Sequence, residues 1–332
     1  MMPALRRALG NRTLRAFVLL AIIVAVLAAA DQGRGRFLNP NTAFSVLQQF
    51  ATIGPVALAL GLTMIVREYD ISVGGMISLS GCVAVMVGNW SPVLGVLAAV
   101  AVGMTSGAVQ GAIMNWLRLS SLGVTLGGLL TLSGLAYVLT GNEAIGYDDI
   151  DVAMLMNQPF LGLFSVRNVV AIAAFVVAGV VFARTRIGRD VVAAGSDRRA
   201  AMVAGVPVAR IVVGVFMISG LLTALAGALL SYSLAAASPI ALADALVPAT
   251  AAAIIGGVSL TGGKGTPVGI AGGVLILCVL RSGLTAIGVA PYMHNIVTGG
   301  VLLAVALLDA PDLRRRRLAL RRRLGREPAP AD

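Results

Sequence analysis

Charge is scarce in this 332-residue chain: Asp, Glu, Lys and Arg together make up 12% of it, about half the roughly 25% of an ordinary soluble domain. A soluble surface has to be solvated by polar groups, so the shortage excludes a water-soluble globular protein. Aromatics reach only 5%, and the chain holds one histidine, two cysteines and a single lysine, Lys264. Cys82 and Cys278 sit inside long apolar stretches, so no disulfide or metal framework follows from them. No Ser, His and acid constellation or metal-ligand cluster supports an intramembrane enzyme. What the chain does have is apolar bulk, 58% or about 193 residues, together with 40 glycines. A helix that crosses the hydrocarbon core takes about 20 apolar residues, which is enough for nine or ten crossings, and abundant glycine suits helices packed closely in lipid. The same arithmetic excludes a large extramembrane domain, disorder, collagen-like repeats and nucleic acid as a partner.

Breaks rich in Gly, Pro, Asn or charge divide the sequence into ten apolar segments, at 16–30, 42–66, 72–90, 92–117, 122–140, 168–184, 211–234, 243–259, 267–287 and 291–309. The expectation is an all-α polytopic membrane protein of about ten transmembrane helices, with both termini on one side. Basic residues concentrate in cytoplasmic loops. With the termini inside, 21 basic residues are cytoplasmic and four (Arg34, Arg36, Arg167 and Arg281) are not. Both termini and the 184–210 loop are therefore expected in the cytoplasm, and Gly141–Arg167 outside. Arg6 to Arg15 followed by Ala16–Leu27 also has the form of a cleavable signal peptide, but an uncleaved anchor fits equally well. Residues 1–313 read as one transmembrane domain, and 314–332 as an Arg-rich cytoplasmic tail attracted to anionic membrane lipid.

Two glycine-rich stretches interrupt the apolar sequence. The first runs from Glu68-Tyr-Asp70 through Ser72, Gly74 and Gly75, and the second from Gly256 and Gly257 through Ser259, Gly262 and Gly263 to Gly265. A phosphate-binding loop needs Gly, four residues, then Gly-Lys-Ser/Thr. Here the first glycine is replaced by Val258 and the hydroxyl residue by Gly265, so this chain is expected to hold no nucleotide. Both stretches suit broken or closely packed helices, which membranes tolerate where they are buried in protein or line a cavity. Asp70 is the sharpest candidate, because an ionisable group near the membrane interior faces a pathway or a partner. Gln48, Gln49, Gln110, Asn115 and Thr125 are further polar candidates for a translocation path. His294 reads as a satisfied interfacial residue.

The basic loop at 184–210 has its own punctuation. Ser196 or Asp197 is placed to N-cap a short helix from Arg198 to Ala204, Gly205 to end it and Pro207 to prevent its continuation. A two-turn capped helix with small residues, Ala200 and Ala201 among them, suits docking into a partner's cleft.

The combination of Asp70-Ile-Ser-Val-Gly74, the run Gly195-Ser196-Asp197-Arg198-Arg199-Ala200-Ala201 ending at Gly205, and Ala253 to Gly265 resembles the permease subunits of ribose-type ABC importers. The resemblance implies a bacterial inner-membrane permease that moves a monosaccharide or related polyol by alternating access. Its implied partners are a second permease copy or paralogue, a periplasmic substrate-binding protein, and ABC ATPase subunits docked on the 195–205 helix. ATP and Mg would belong to those ATPases, with no cofactor in this chain. Glu68-Tyr69 departs from the apolar pair that commonly precedes Asp70 in sugar permeases. Permeases for nucleosides or branched-chain amino acids are the alternative, as is a secondary transporter working without an ATPase.

Overall fold

The structure, a computed structural model, describes residues 12–240 and 245–309. Among them the chain forms thirteen α-helices and one two-stranded ladder. The first five helices are α1 (Arg12–Ala30), α2 (Pro40–Ile65), α3 (Val73–Gly88), α4 (Pro92–Leu117) and α5 (Ser121–Thr140). Then follow β1 (Ile145–Gly146), α6 (Ile150–Asn157), α7 (Val166–Arg184), α8 (Arg186–Ser196), α9 (Arg198–Val203) and α10 (Val208–Ser233). The series closes with β2 (Ala236–Ala237), α11 (Leu246–Ile255), α12 (Pro267–Ala286) and α13 (Pro291–Asp309). Residues 310–313 and the basic tail at 314–332 lie outside the described residues.

Each expected apolar segment falls on a helix, but the helices are not equivalent. Seven of them (α1, α2, α4, α5, α7, α10 and α12) are long and apolar enough to cross a membrane, whereas α3 and α11 are shorter apolar helices. The segment at 243–259 is the clearest correction. Its helix has 10 residues, a rise of about 15 Å at 1.5 Å per residue, roughly half of a hydrocarbon core of about 30 Å. Gly257, at φ +93°, ends it in a left-handed turn open to glycine without steric cost. Two helices escaped the sequence reading, α6 and α8, as did the ladder that pairs Ile145 with Ala237 and Gly146 with Ala236.

The bundle has a centre and a rim. Over their most apolar windows, α2, α10 and α12 are 61 to 67% buried, against 17 to 22% for α1, α4, α5 and α7. Lipid offers no hydrophobic drive for helix association, so close backbone approach has to supply it. On α4 the small stripe Gly95, Gly103, Gly107 and Gly111 lies against α10, where a methyl at Gly103 would strike the Gly220 carbonyl and one at Gly107 the Phe216 carbonyl.

The connectors sort into two ends. One end gathers 66–72, 118–120, 185–207 and 256–266, tied by Gly263 N to Ile65 O at 2.8 Å, Tyr69 N to Ser121 Oγ at 3.3 Å and Asn115 Nδ2 to Ala209 O at 2.9 Å. The opposite end holds the ladder, α6 and the start of α7, where Asp149 Oδ1 caps α6 by accepting from Val152 N at 3.0 Å.

Candidate functional site

The α8/α9 end is an interlocked backbone junction. Helix α9 is capped as its sequence suggests: Asp197 Oδ1 accepts from Arg199 N at 2.9 Å and from Ala200 N at 3.1 Å. Val206 N returns to Ala201 O at 3.0 Å and Gly205 N to Met202 O at 3.0 Å, the paired closure that a left-handed residue after the helix allows. Gly205 supplies it at φ +83°. Two details differ from expectation. Ser196 does not cap α9, because its Oγ donates back to Val192 O at 2.8 Å, and Gly195 and Ser196 form the last turn of α8. Met202 and Val203 point away from the protein, Val203 at 91% exposure.

Three segments meet beneath α9. A side chain at Gly195 would collide with the Ile65 carbonyl, and one at Gly263 with the Ser196 side chain. Arg67 Nε donates to Thr261 O at 2.7 Å, and Arg198 forms an ion pair with Glu68. The Gly256–Gly265 stretch spends its amides on this architecture: Gly257 N bonds Ile254 O, Gly262 N bonds Ser259 O, and Ser259 N bonds Lys264 O, all at 2.9 to 3.0 Å. Ser259 Oγ pairs with Thr261 Oγ1 at 2.9 Å. A methyl at Gly256 would meet the Gly269 carbonyl, so this glycine serves helix packing.

Directly above, Asp70 anchors a polar node in the α2–α3 connector. Its carboxylate is buried and accepts from Ser72 Oγ at 2.6 Å, Ser72 N at 3.1 Å and Ser219 Oγ at 2.7 Å. Burial pushes this carboxyl above the usual carboxylate range, while the bonds from Ser72 and Ser219 pull it back. Gln110 Nε2 donates to Ser72 Oγ at 3.0 Å and to Ser106 Oγ at 3.2 Å. Thr125 Oγ1 lies 3.1 Å from Tyr69 O, and Tyr69 Oη lies 2.7 Å from Thr250 Oγ1. The connector is thereby bonded to α4, α5, α10 and α11 at once. Gly74 and Gly75 break no helix; they lie in the first turn of α3, where a methyl at Gly75 would come 2.6 Å from the Leu129 carbonyl of α5.

Toward the opposite end, a cavity of about 620 Å³ opens between α2, α7, α10, α11 and α12. Gln48, Gln49, Thr52, Arg167 and Arg281 supply its polar lining. Arg167 is buried, at 5% exposure; it donates to Ser233 Oγ and to Thr52 Oγ1, each at 2.6 Å. Gln49 Nε2 donates to Ser282 Oγ at 2.8 Å. The Oε1 atoms of Gln48 and Gln49 and the Nε of Arg167 are buried without a partner.

The residues expected from sequence thus fall into three groups. Gln48 and Gln49 line the cavity. Asp70, Ser72, Gln110 and Thr125 form the node, and the coupling and second glycine sets form the junction. Asn115 reaches neither the node nor the cavity, since its amide holds α4 to Ala209 at the head of α10. His294 is buried with Nε2 unpartnered, not satisfied as expected. Thr52, Arg167, Ser219 and Arg281 went unnoticed as site residues. Arg281 carried a usable signal, because an arginine inside an apolar segment is costly unless it faces a cavity.

A helical bundle with a polar cavity toward one end and an interlocked, capped-helix surface at the other is a polytopic membrane permease. The chain belongs to the family described as "Branched-chain amino acid transport system / permease component", which it matches over residues 42–306. Within that broad description, several of its curated relatives are named for sugars. It is 32% identical over 275 residues to the L-arabinose ABC transporter permease protein of Azospirillum brasilense, covering 82% of this chain and 81% of that one. It is 32% identical to the ribose import permease protein of Bacillus subtilis, covering 88% and 89%, and 31% identical to the fructose import permease protein of Rhizobium meliloti, covering 88% and 84%. No solved structure matches it significantly.

Proposed function

We propose that the chain is the membrane subunit of an ATP-driven importer for a monosaccharide or related polyol, powered by a separate ATPase that docks on α9. The observation that carries the coupling assignment is α9 itself. It is capped at both ends, presents Met202 and Val203 outward, and follows directly on the last turn of α8, whose Gly195 and Ser196 pack against Ile65 at the end of α2 and against Gly262 and Gly263. An apolar tip held this rigidly suits a cleft on a partner that moves with nucleotide state. The charge asymmetry of the loops supports placing the α8/α9 end and both termini in the cytoplasm of a bacterial inner membrane, with the cavity facing outward to receive substrate from a periplasmic binding protein. A second permease copy or paralogue would complete the pathway. The sugar names of the relatives support this substrate class over amino acids or nucleosides. Among the described residues, Asp70 is the one acid in the polar node, which argues against the paired carboxylates of an ion-coupled secondary carrier.

The test is reconstitution of the permease with its ATPase and binding protein in liposomes. Sugar uptake should require ATP and all three components, and uptake without the ATPase would defeat the reading. Cysteine labelling at position 149, in a background lacking Cys82 and Cys278, checks orientation: modification from the cytoplasmic face alone would reverse it. Nucleotide is expected to bind only the partner. Saturable ATP binding by the isolated permease, lost in Lys264→Ala, would contradict that.

A further inference from the structure

The cavity between α2, α7 and α12 carries an electrostatic demand that a neutral sugar does not meet. Two guanidinium groups line it, and among the described residues neither has a carboxylate partner. Arg167 is buried and bonded only to the hydroxyls of Ser233 and Thr52, with Nε left over. Arg281 is exposed and lines the same space. A buried cation is costly unless paired, and arginine's planar fork matches a carboxylate in a two-point geometry. Among the residues that line the cavity, the other unpartnered buried polar atoms are acceptors, Oε1 of Gln48 and Oε1 of Gln49. Acceptors call for hydroxyl donors. Ile53, Leu230, Ile240, Ala245 and Pro248 complete the lining with apolar surface suited to the C–H face of a pyranose or an extended carbon chain.

We infer that this cavity takes a polyhydroxylated carboxylate, a sugar acid of the aldonate or uronate class, with Arg281 and Arg167 supplying the positive field and Gln48 and Gln49 accepting from its hydroxyls. The inference rests on the sugar-importer reading and narrows its substrate class. Arg281 is the contact residue and Arg167 the deeper source of field, held in place by Thr52 and Ser233. Asp244, the one acid in the sequence between residues 238 and 250, lies outside the described residues and enters the test as the competing counter-ion.

The experiment measures ATP-dependent uptake by the reconstituted complex of five- and six-carbon aldonates and uronates, D-gluconate and D-galacturonate among them, beside the parent aldose of each. Transport of one or more acids is expected, with Arg281→Gln lowering it ~10- to 100-fold, the scale of a lost charge-assisted hydrogen bond. Arg281→Lys should retain part of it. Co-purification of Arg281→Gln with the ATPase controls for folding. Uptake confined to neutral aldoses, or acid uptake unchanged in Arg281→Gln, overturns the inference while leaving the importer reading intact. Equal loss of neutral-sugar uptake in Asp244→Asn and Arg281→Gln also overturns it, by making the arginine's partner internal. If an assembled, ATP-hydrolysing complex carries neither class, the importer reading itself fails and the inference with it.

Discussion

At the α8/α9 end, contact is made by main chain against main chain: Gly195 on Ile65, Gly262 beside the Gly195 carbonyl, Gly263 on Ser196. At the opposite end, long side chains of Arg167, Gln48, Gln49 and Arg281 reach into a cavity. The two constructions suit different tasks. Backbone contacts without side chains between them have no rotamers to absorb a displacement, so under the proposed coupling a push on α9 would pass through the last turn of α8 to the end of α2 and to the 256–266 loop. The Asp70 node then ties the α2–α3 connector to α4, α5 and α10. Side chains around a cavity can reorient as a ligand arrives and leaves, which a binding surface requires and a lever does not. Packed interfaces respond to small shifts by switching between discrete arrangements, and the junction is positioned to start such a switch.

The comparison is broken most severely by Gly195→Val. The Ile65 carbonyl and the Gly263 amide stand where the new side chain would go, and backbone cannot swing aside, so strain of about 1–3 kcal/mol or more should open the junction. Uptake should be abolished while the protein still inserts, measured by transport beside membrane yield. Wild-type uptake would show that the junction transmits nothing.

The next effect belongs to Asp197→Ala combined with Gly205→Val. Losing the cap costs about 0.5–2 kcal/mol, and valine is disfavoured at the φ of +83° that Gly205 adopts. Helix α9 should fray without harm to the bundle, so insertion stays normal while ATPase association weakens and uptake fails. Full uptake with normal recovery of the complex would reduce the 184–210 loop to a connector.

Smaller still is the Glu68–Arg198 pair, whose side chains are 12% and 41% exposed. Partial exposure limits such a pair to about 1 kcal/mol or less. Glu68→Gln or Arg198→Gln should each slow uptake a few-fold, and the exchanged pair Glu68→Arg with Arg198→Glu should recover part of it. Recovery measured in a double-mutant cycle would show that the departure from the apolar pair common before Asp70 is a functional tether in this chain.

The smallest effect is expected from Gly134→Ala on α5, where an added methyl meets nothing within 4 Å. The change should be neutral for uptake and stabilise the helix by about 1 kcal/mol, read from thermal unfolding in detergent. Loss of function there would reveal a second subunit packed on that face.

Local chemistry made much of this legible. Apolar length located, among the described residues, every helix long and apolar enough to cross a membrane, Asp197 and Gly205 marked both ends of α9, and the failed phosphate-loop spacing marked 256–265 as a turn, because each depends on residues adjacent in the chain. Helix α8 was hidden because its arginines resemble an ordinary basic connector, and only its buried face, Gly188, Val191, Ala194 and Gly195, distinguishes it. The shortness of α11 was equally hidden, since hydropathy cannot separate ten helical residues from the irregular backbone around them.

By itself the sequence determined the apolar surroundings the chain requires, the places of its long apolar helices, the two ends of α9 and the direction of charge asymmetry, all properties that a segment carries wherever it packs. Only the tertiary structure decided which polar residues meet. Gln49 and Ser282 are 233 positions apart, Asp70 and Ser219 are 149 apart, and Arg167 and Thr52 are 115 apart. Such pairings depend on how each helix is rotated and which neighbour it chooses. In lipid that choice is made by glycine stripes and buried polar bonds distributed over several helices, so no single segment encodes it.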